Sequence, residues 1–237
     1  IDFGDFSVVW DTGNGAAGPA VDALVTGIPG KHKTLFTDVD GRFPNHHPNP
    51  VDPDTLKLLN EQVHSAGAEC GIGFDGDGDR IGVIDKTGRQ VSGDLLTAFL
   101  SLDILGRHKG AEILFDVKSS STALDIVRQA GGKPHLWRTG HSHMKKRLKE
   151  LGAPLAGEMS GHIFIADDFY GFDDALYVAC RFLSRLTHMK QKGNESLTDF
   201  LDQLPPSFTK PECHIHCPDD EKFTAVERRS QQIRAVM

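Results

Sequence analysis

Short apolar runs alternate along this chain with stretches in which apolar residues return every three or four positions, the patterns of buried strands and amphipathic helices. The run at 6–10 reads as a strand and empties into Asp11-Thr12-Gly13-Asn14-Gly15-Ala16-Ala17-Gly18. A helix with Ala20, Ala23 and Leu24 on its apolar side follows, then a second strand near 34–37 that ends in Asp38 and Asp40. Pro44, Pro48 and Pro50 make 42–50 irregular, because proline lacks the backbone donor and disfavours helix in its neighbour. Asp54 reads as the N-cap of a helix striped by Leu56, Leu59 and Val63 and closed by Gly67. Strands at 70–74 and 81–85 flank a polar loop, and Lys86-Thr87-Gly88-Arg89 turns the chain. A helix follows from about Asp94 (Leu95, Leu96, Phe99, Leu100, Leu102), then a strand at 112–117 and a helix carrying Ala123, Leu124, Ile126 and Val127. The strand at 134–137 leads through Arg138-Thr139-Gly140-His141-Ser142-His143 to a helix striped by Met144, Leu148 and Leu151. Its Lys145, Lys146, Arg147 and Lys149 read as the solvated face. Strands at 154–156 and 163–165 bracket Gly157-Glu158-Met159-Ser160-Gly161-His162. Helices at 174–186 and 197–204 close the block, Pro205-Pro206 marks a boundary, and 208–217 alternates like a strand. Asp173 and Asp174 read as N-caps of the first of those helices.

Strand, polar loop, helix recurs, with the loops at the C-terminal ends of strands, the edge where open α/β sheets bind ligands. A length of 237 residues suits one large domain or two ordinary ones. The net charge of -7 argues against nucleic-acid or acidic-membrane partners, since there is no basic surplus to neutralise phosphates. No apolar run approaches the ~18–20 residues of a membrane span, and no signal peptide is visible. Four cysteines do not make a disulfide framework in so long a chain, so a reducing cytoplasm is expected. The first residue is Ile1, and the chain reads as a piece of something longer.

The densest candidate chemistry is Asp75-Gly76-Asp77-Gly78-Asp79-Arg80. Alternate residues of an extended segment share a face, and the intervening glycines let it curl so that three carboxylates converge. Converging like charges disfavour one another's ionisation unless a cation sits among them, and an all-oxygen set suits Mg2+ or Ca2+. An EF-hand fails, because Arg80 and Lys86 stand where glycine and glutamate are needed. A dehalogenase-type D-x-D motif fits Asp75 and Asp77, but Asp79 at the fifth position favours an all-ligand cluster. Ser160 misses the nucleophile-elbow spacing by one place. Gly13, Gly15 and Gly18 spell a dinucleotide-binding fingerprint or, alternatively, a tightly packed strand-to-helix turn. His46 and His47 could be ligands, but in a proline-rich loop they read as surface or loop-packing residues. In Cys213-His214-Ile215-His216-Cys217 a strand would point cysteines and histidines to opposite faces, which argues against one zinc ion.

Five stretches, taken in order, carry a family likeness: residues 11–18, Phe43-Pro44-Asn45-His46-His47-Pro48, 75–80, Thr139-Gly140-His141-Ser142, and 157–162. With them the chain resembles the α-D-phosphohexomutases, most closely the phosphomannomutase/phosphoglucomutase branch. The resemblance implies two consecutive three-layer α/β domains with mixed sheets, at 1–88 and 89–204, and at 205–237 the start of a C-terminal domain. It makes the early glycine turn structural. It implies a cytoplasmic enzyme that interconverts hexose 1- and 6-phosphates of mannose or glucose, through a phosphoserine and a bisphosphate intermediate. Asp75, Asp77 and Asp79 would hold Mg2+, and Arg80 would face phosphate oxygens. His141 would be the general acid/base, with Lys118 a second catalytic candidate that contacts substrate. Thr139, Gly140, Met159 and Gly161 would line the sugar site, Glu158 and Ser160 would bind sugar hydroxyls, and His162 would support them. Met159 points to the dual-specificity branch. The family's T-A-S-H-N-P-like serine loop and its R-x-S-G-T-like phosphate loop have no match here; the nearest serine-histidine pair, Ser142-His143, lies in another loop. The expectation is therefore a piece that is inactive without the missing domains of its parent chain. A non-catalytic metal- or sugar-phosphate-binding module is the alternative, and a dehalogenase-type phosphatase a more distant one.

Overall fold

The computed structural model of the chain describes residues 1–193, 195–205 and 217–234. Residues Ile1–Pro205 form one compact unit. In chain order its first part carries β1 (Phe6–Asp11), α1 (Gly18–Val25), β2 (Gly30–Leu35), α2 (Lys57–Ala66), β3 (Cys70–Phe74), β4 (Ile81–Asp85) and β5 (Gln90–Val91). These strands make one sheet in the order β2-β1-β3-β4-β5, with β2, β1 and β3 parallel, β4 antiparallel to β3 and β5 antiparallel to β4. The second part carries α3 (Gly93–Arg107), β6 (Glu112–Asp116), α4 (Ser121–Gln129), β7 (Lys133–Trp137), α5 (His141–Leu151), β8 (Leu155–Gly157), β9 (Ile163–Ile165), α6 (Ala175–Gly193) and α7 (Leu197–Asp202). Its sheet runs β7-β6-β8-β9, with only β9 antiparallel. The chain thus holds two α/β/α domains with mixed sheets of 5 and 4 strands, as the resemblance implied. The second unit, described from Cys217, carries α8 (Lys222–Arg234). The strand expected at 208–217 and the Cys213–Cys217 segment fall, Cys217 apart, outside the described residues.

β3 and β4 are buried at every residue, which explains their continuous apolar character. Trp10 stacks on Phe74 within the first sheet, with ring centroids 6.3 Å apart. The core continues without a break to Phe115, Phe99 and Phe182 of the second part. α3 packs against β4 and β8, one strand from each sheet. A helix covered on two sides must be apolar around most of its circumference, and Leu96, Ala98, Phe99, Leu100, Ile104 and Leu105 are all buried. At Gly157 a β-carbon would meet Thr97 Oγ1 at 1.8 Å, so α3 lies directly on β8. No helix among the described residues is long and apolar enough to cross a membrane.

Three expected boundaries are corrected. Asp54 does not cap α2, because 52–56 form a separate turn in which Thr55 and Leu56 both donate to the Asp52 carbonyl. Leu56 takes the N-cap position without a side-chain cap, and Asp54 pairs with Lys57 instead. β2 lies at Gly30–Leu35, where parallel pairing with β1 matches Phe6 to Gly30 and Asp11 to Leu35. It ends before Phe36, whose φ of 56° leaves the extended region. α7 stops at Asp202.

Asp167 ties α3 to α6. Its buried carboxylate accepts from Arg107, Arg181 and His108. Burial pushes this carboxyl up, but the two arginines outweigh it and hold it below the usual carboxylate range. A depressed folded value means the contribution is present above the unfolded pKa of about 3.9 and is lost as pH falls through the folded value. Asp167→Asn should therefore destabilise by about 2–3 kcal/mol at neutral pH, the lower end for a broken ion pair because Arg107 is half-exposed. Urea unfolding should show this difference shrinking below about pH 4.

Candidate functional site

The acidic loop is wound around one of its own side chains. Asp75 follows β3 directly and is buried, and its Oδ1 accepts the backbone N–H groups of Gly78, Asp79 and Arg80 at 3.0, 3.1 and 3.1 Å. Oδ2 accepts Arg80 Nε at 2.7 Å. Gly78 supplies the φ of 80° that the curl requires. Beneath it lies the early glycine turn: Ala16 N–H donates to the Gly76 carbonyl at 2.9 Å, and a β-carbon on Gly15 would sit 2.7 Å from the Asp75 carbonyl oxygen. Gly18 is pressed harder still, 2.1 Å from the Thr37 carbonyl oxygen for an added β-carbon. These glycines serve close packing, which leaves no dinucleotide reading. Asp11 Oδ1 accepts Gly13 N–H, and both its oxygens lie within 3.1 Å of His46 Nε2. That contact raises the His46 pKa against the effect of burial, and it fastens the proline-rich loop to β1.

With Asp75 fixed, Asp77 and Asp79 are carried to its side, and one oxygen from each of the three lies within 4.8 Å of the others. Burial pushes Asp79 up to about 6, with the Asp75 and Asp77 charges adding to the shift and His162 opposing it. Burial also pushes Asp75 up, but Arg80 outweighs it and holds that carboxyl low. Crowded, partly desolvated carboxylates of this kind fit a hard divalent cation. Arg80 spends its Nε on Asp75 and reaches Asn49 Oδ1 at 3.4 Å with Nη1.

The second group of loops converges on another buried carboxylate at a strand end. Asp116, the last residue of β6, accepts from Ser119 Oγ at 3.0 Å and Thr139 Oγ1 at 3.2 Å, with Met159 N at 3.5 Å. Burial raises its pKa beyond what those partners and Lys118 lower. It gathers the Lys118, Thr139 and Met159 loops into one place. Glu158 is buried, accepting Gly140 N–H on Oε1 and facing His162 Nδ1 at 3.3 Å with Oε2. Ser160 Oγ lies 2.8 Å from the same ring nitrogen. Burial raises Glu158 and lowers His162, but their mutual contact, joined by the Gly140 amide at Glu158 and the Asp79 charge at His162, leaves Glu158 lowered and His162 raised. Lys118 is exposed. His141, half-exposed, opens α5 after Gly140, with Nδ1 3.6 Å from Asp173 Oδ2.

The two groups are stitched together. Arg80 and His162 form an antiparallel bridge, and Ile81 N–H donates to the Gly161 carbonyl at 3.1 Å. His162 Nε2 is 3.4 Å from Asp79 Oδ1, and Ala175 N–H, at the start of α6, donates to Gly78 O at 3.2 Å. The candidate residues Asp75, Asp77, Asp79, Arg80, Glu158, Ser160, Gly161 and His162 thus stand together, with His141 beside them. Asp173 is a correction: Asp174 caps α6 by accepting Tyr177 N–H, while Asp173 pairs with Lys145 Nζ at 2.9 Å and faces His141. Asp116 and Lys145 escape a reading of the sequence. The signal for Asp116 is an aspartate closing an apolar run, which also marks Asp11 and Asp85. A cavity of about 910 Å³ beneath α5, lined by Leu148, Lys149 and Phe172, shares only Lys145 with this neighbourhood.

The family description "Phosphoglucomutase/phosphomannomutase, alpha/beta/alpha domain II" matches residues 2–88, and its domain III counterpart matches residues 92–208. The phosphomannomutase/phosphoglucomutase of Pseudomonas putida is 44% identical over 220 residues, which make up 93% of this chain and 47% of that protein. The crystal structure of a phosphoglucomutase/phosphomannomutase family protein from Burkholderia thailandensis superposes with a TM-score of 0.82 at 42% identity, covering 89% of this chain and 45% of that one. The Aspergillus fumigatus N-acetylphosphoglucosamine mutase, solved in complex with GlcNAc-6P and magnesium, shares the fold with a TM-score of 0.64 at 16% identity, covering 86% and 46%. The chain belongs to the phosphoglucomutase/phosphomannomutase family and carries its domains II and III. It spans about half the length of the curated relatives it matches.

Gly15→Ala tests whether the glycine turn supports the acidic loop. In open space such a change gains about 0.4–1 kcal/mol, whereas forcing a methyl against the Asp75 carbonyl costs about 1–3 kcal/mol. Thermal unfolding should show destabilisation, and a rise in Tm would contradict the packing.

Proposed function

We propose that this chain supplies the cation-binding and sugar-binding loops of a phosphohexomutase that interconverts hexose 1-phosphate and hexose 6-phosphate, with mannose and glucose as the sugars. The observation that supports this most is the acidic loop standing hydrogen-bonded beside the loop of Glu158, Ser160 and His162, within reach of His141. The reaction passes through a phosphoserine enzyme and a bisphosphorylated sugar. The boundaries are 1–88 for the cation domain, 89–204 for the sugar domain and 205–237 for the start of a further domain.

Asp75, Asp77 and Asp79 would hold Mg2+, the ion present in the Aspergillus complex, and it supplies Lewis-acid neutralisation of a phosphoryl group. Arg80, oriented by its Nε bond to Asp75, presents the other edge of its guanidinium to phosphate oxygens. His141 takes the proton from the attacking sugar hydroxyl and returns one in the reverse transfer, a general acid/base role that an imidazole at the mouth of this site can serve. Lys118, from the loop after β6, contacts the substrate phosphate or hydroxyls. Thr139, Gly140, Met159 and Gly161 shape the sugar pocket. Glu158 and Ser160 meet sugar hydroxyls while His162 braces both. Phosphoryl transfer depends on such positioning more than on covalent chemistry by the protein. Asp75 is a poor dehalogenase-type nucleophile, because its buried oxygens are engaged by three N–H groups and Arg80.

No segment of the 237 residues matches the serine loop, so the chain by itself acts as a metal- and sugar-phosphate-binding module without turnover. The test is to assay the full open reading frame, serine-phosphorylated, on mannose 1-phosphate and glucose 1-phosphate; absence of mutase activity there sinks the proposal. In that enzyme His141→Ala should lower kcat by ~10²–10⁴, and an effect confined to KM would assign it to binding instead. Asp77→Asn should remove Mg2+ binding measured by calorimetry while leaving the circular dichroism spectrum unchanged. Undiminished Mg2+ binding in that variant would refute the ligand set.

A further inference from the structure

Beside the acidic loop stands a second group of ligand-type side chains with a different chemistry. Asp79 of the loop, His162 after β8 and Asp173 before α6 each offer one ligand atom within 4.8 Å of the other two. His141 borders the same group, with its ring centroid 6.0 Å from that of His162. Two of the separations are informative. His162 Nε2 lies 3.4 Å from Asp79 Oδ1, and His141 Nδ1 lies 3.6 Å from Asp173 Oδ2. Both exceed the ~2.7–2.9 Å of a charge-assisted hydrogen bond. Both are close to the ~3.4 Å that separates neighbouring ligands of a tetrahedral ion with bonds of about 2.0–2.1 Å.

The surroundings support ligation by His162. Its other nitrogen, Nδ1, is 2.8 Å from Ser160 Oγ and 3.3 Å from Glu158 Oε2. A carboxylate behind a histidine in this way fixes the ring and aims the remaining nitrogen at a metal. Lys145 Nζ donates to both Asp173 oxygens, Oδ1 at 2.9 Å and Oδ2 at 3.2 Å, and sets the direction of that carboxylate. All three residues of the group are partly exposed, so an ion can enter from solvent. Two imidazoles with two carboxylates suit zinc-class ions, whereas three carboxylates alone suit magnesium.

We propose that Asp79, His162 and Asp173, with His141 closing in from their border, form a second cation site that takes Zn2+ or a similar d-block divalent ion. Because Asp79 belongs to both sets, the two ions compete. An ion in the second site also engages both histidines, so zinc there opposes any work those residues do on a sugar phosphate. The site itself rests on geometry alone and stands whether or not the chain is part of a mutase.

The experiment is a Zn2+ titration of the metal-free 237-residue chain against a chromophoric chelator, with Cys213 and Cys217 replaced by serine to remove competing thiolates. One equivalent should bind. His162→Asn and Asp173→Asn should each weaken it by at least the ~10-fold that even an outer-shell change brings. Asp77→Asn, which touches only the three-aspartate set, should leave zinc affinity unchanged, and excess Mg2+ should lower it. Co2+ in place of Zn2+ should give the intense visible absorption of a tetrahedral site. Zinc affinity unaltered in both the His162 and Asp173 variants, loss of zinc in Asp77→Asn, or a faint octahedral Co2+ spectrum would each overturn the proposal. If Asp173→Asn fails to fold, His141→Gln at a half-exposed position takes its place: a weakened site supports the assignment and an unchanged one overturns it.

Discussion

Three backbone N–H groups and a guanidinium nitrogen converge on the carboxylate of Asp75, which has almost no access to water. Hydrogen bonds to a charged group contribute about 1.5–3 kcal/mol each, enough together to offset the penalty of burying a carboxylate. The physical result is a loop with one conformation. Asp77 and Asp79 have no comparable anchor of their own; their placement follows from the turn that Asp75 closes. The same device recurs at other strand ends. Asp11 takes Gly13 N–H and His46, Asp85 takes the Thr87 and Arg89 amides and the Arg89 side chain, and Asp116 gathers three separate loops. Asp11, Asp75 and Asp116 stand at the C-terminal ends of parallel strands and shape the loops there, whereas Asp85, opposite Cys70, closes a turn at the other edge of its sheet.

A second constraint joins the two loop groups. The bridge between Arg80 and His162 and the bond from Ile81 to Gly161 extend sheet-like pairing from the acidic loop into the Glu158–His162 loop. Gly161, at a φ of 93°, has no space for a side chain against Ile81. Behind this seam α3 packs on both β4 and β8, and the apolar core runs unbroken from Trp10 to Phe182. The acidic loop and the Glu158–His162 loop therefore sit on one continuous scaffold.

Much of this was legible in the sequence, for physical reasons. Central strands are buried on both faces, so β1, β3, β4 and β6 stand out as apolar runs, and the acids and glycines that follow mark the loops. The alternation of strands and helices indicated the fold class, and the family likeness the paired domains. What escaped depended on partners far away in the chain. β2, Gly-Lys-His-Lys-Thr-Leu, is a polar edge strand whose position is settled only by pairing with β1. Asp173 and Asp174 are equivalent as helix caps until α5 brings Lys145 and His141 to one of them. Asp116 looks like any strand-end acid until Thr139 and Met159 arrive from 23 and 43 positions away.

The central claim is that Asp75 pre-forms a loop ready to accept a hard cation. It is tested most directly by following the backbone amides of Gly78, Asp79 and Arg80 in nitrogen-15 NMR spectra of the chain as Mg2+ is added. These amides should already be well dispersed and protected from exchange without metal, since their hydrogen bonds to Asp75 exist beforehand. They should then shift together and saturate, while the amides around Asp11 and Asp85 stay in place. Amides that are unprotected before Mg2+ and become ordered only with it, or that never respond to it, would contradict the account.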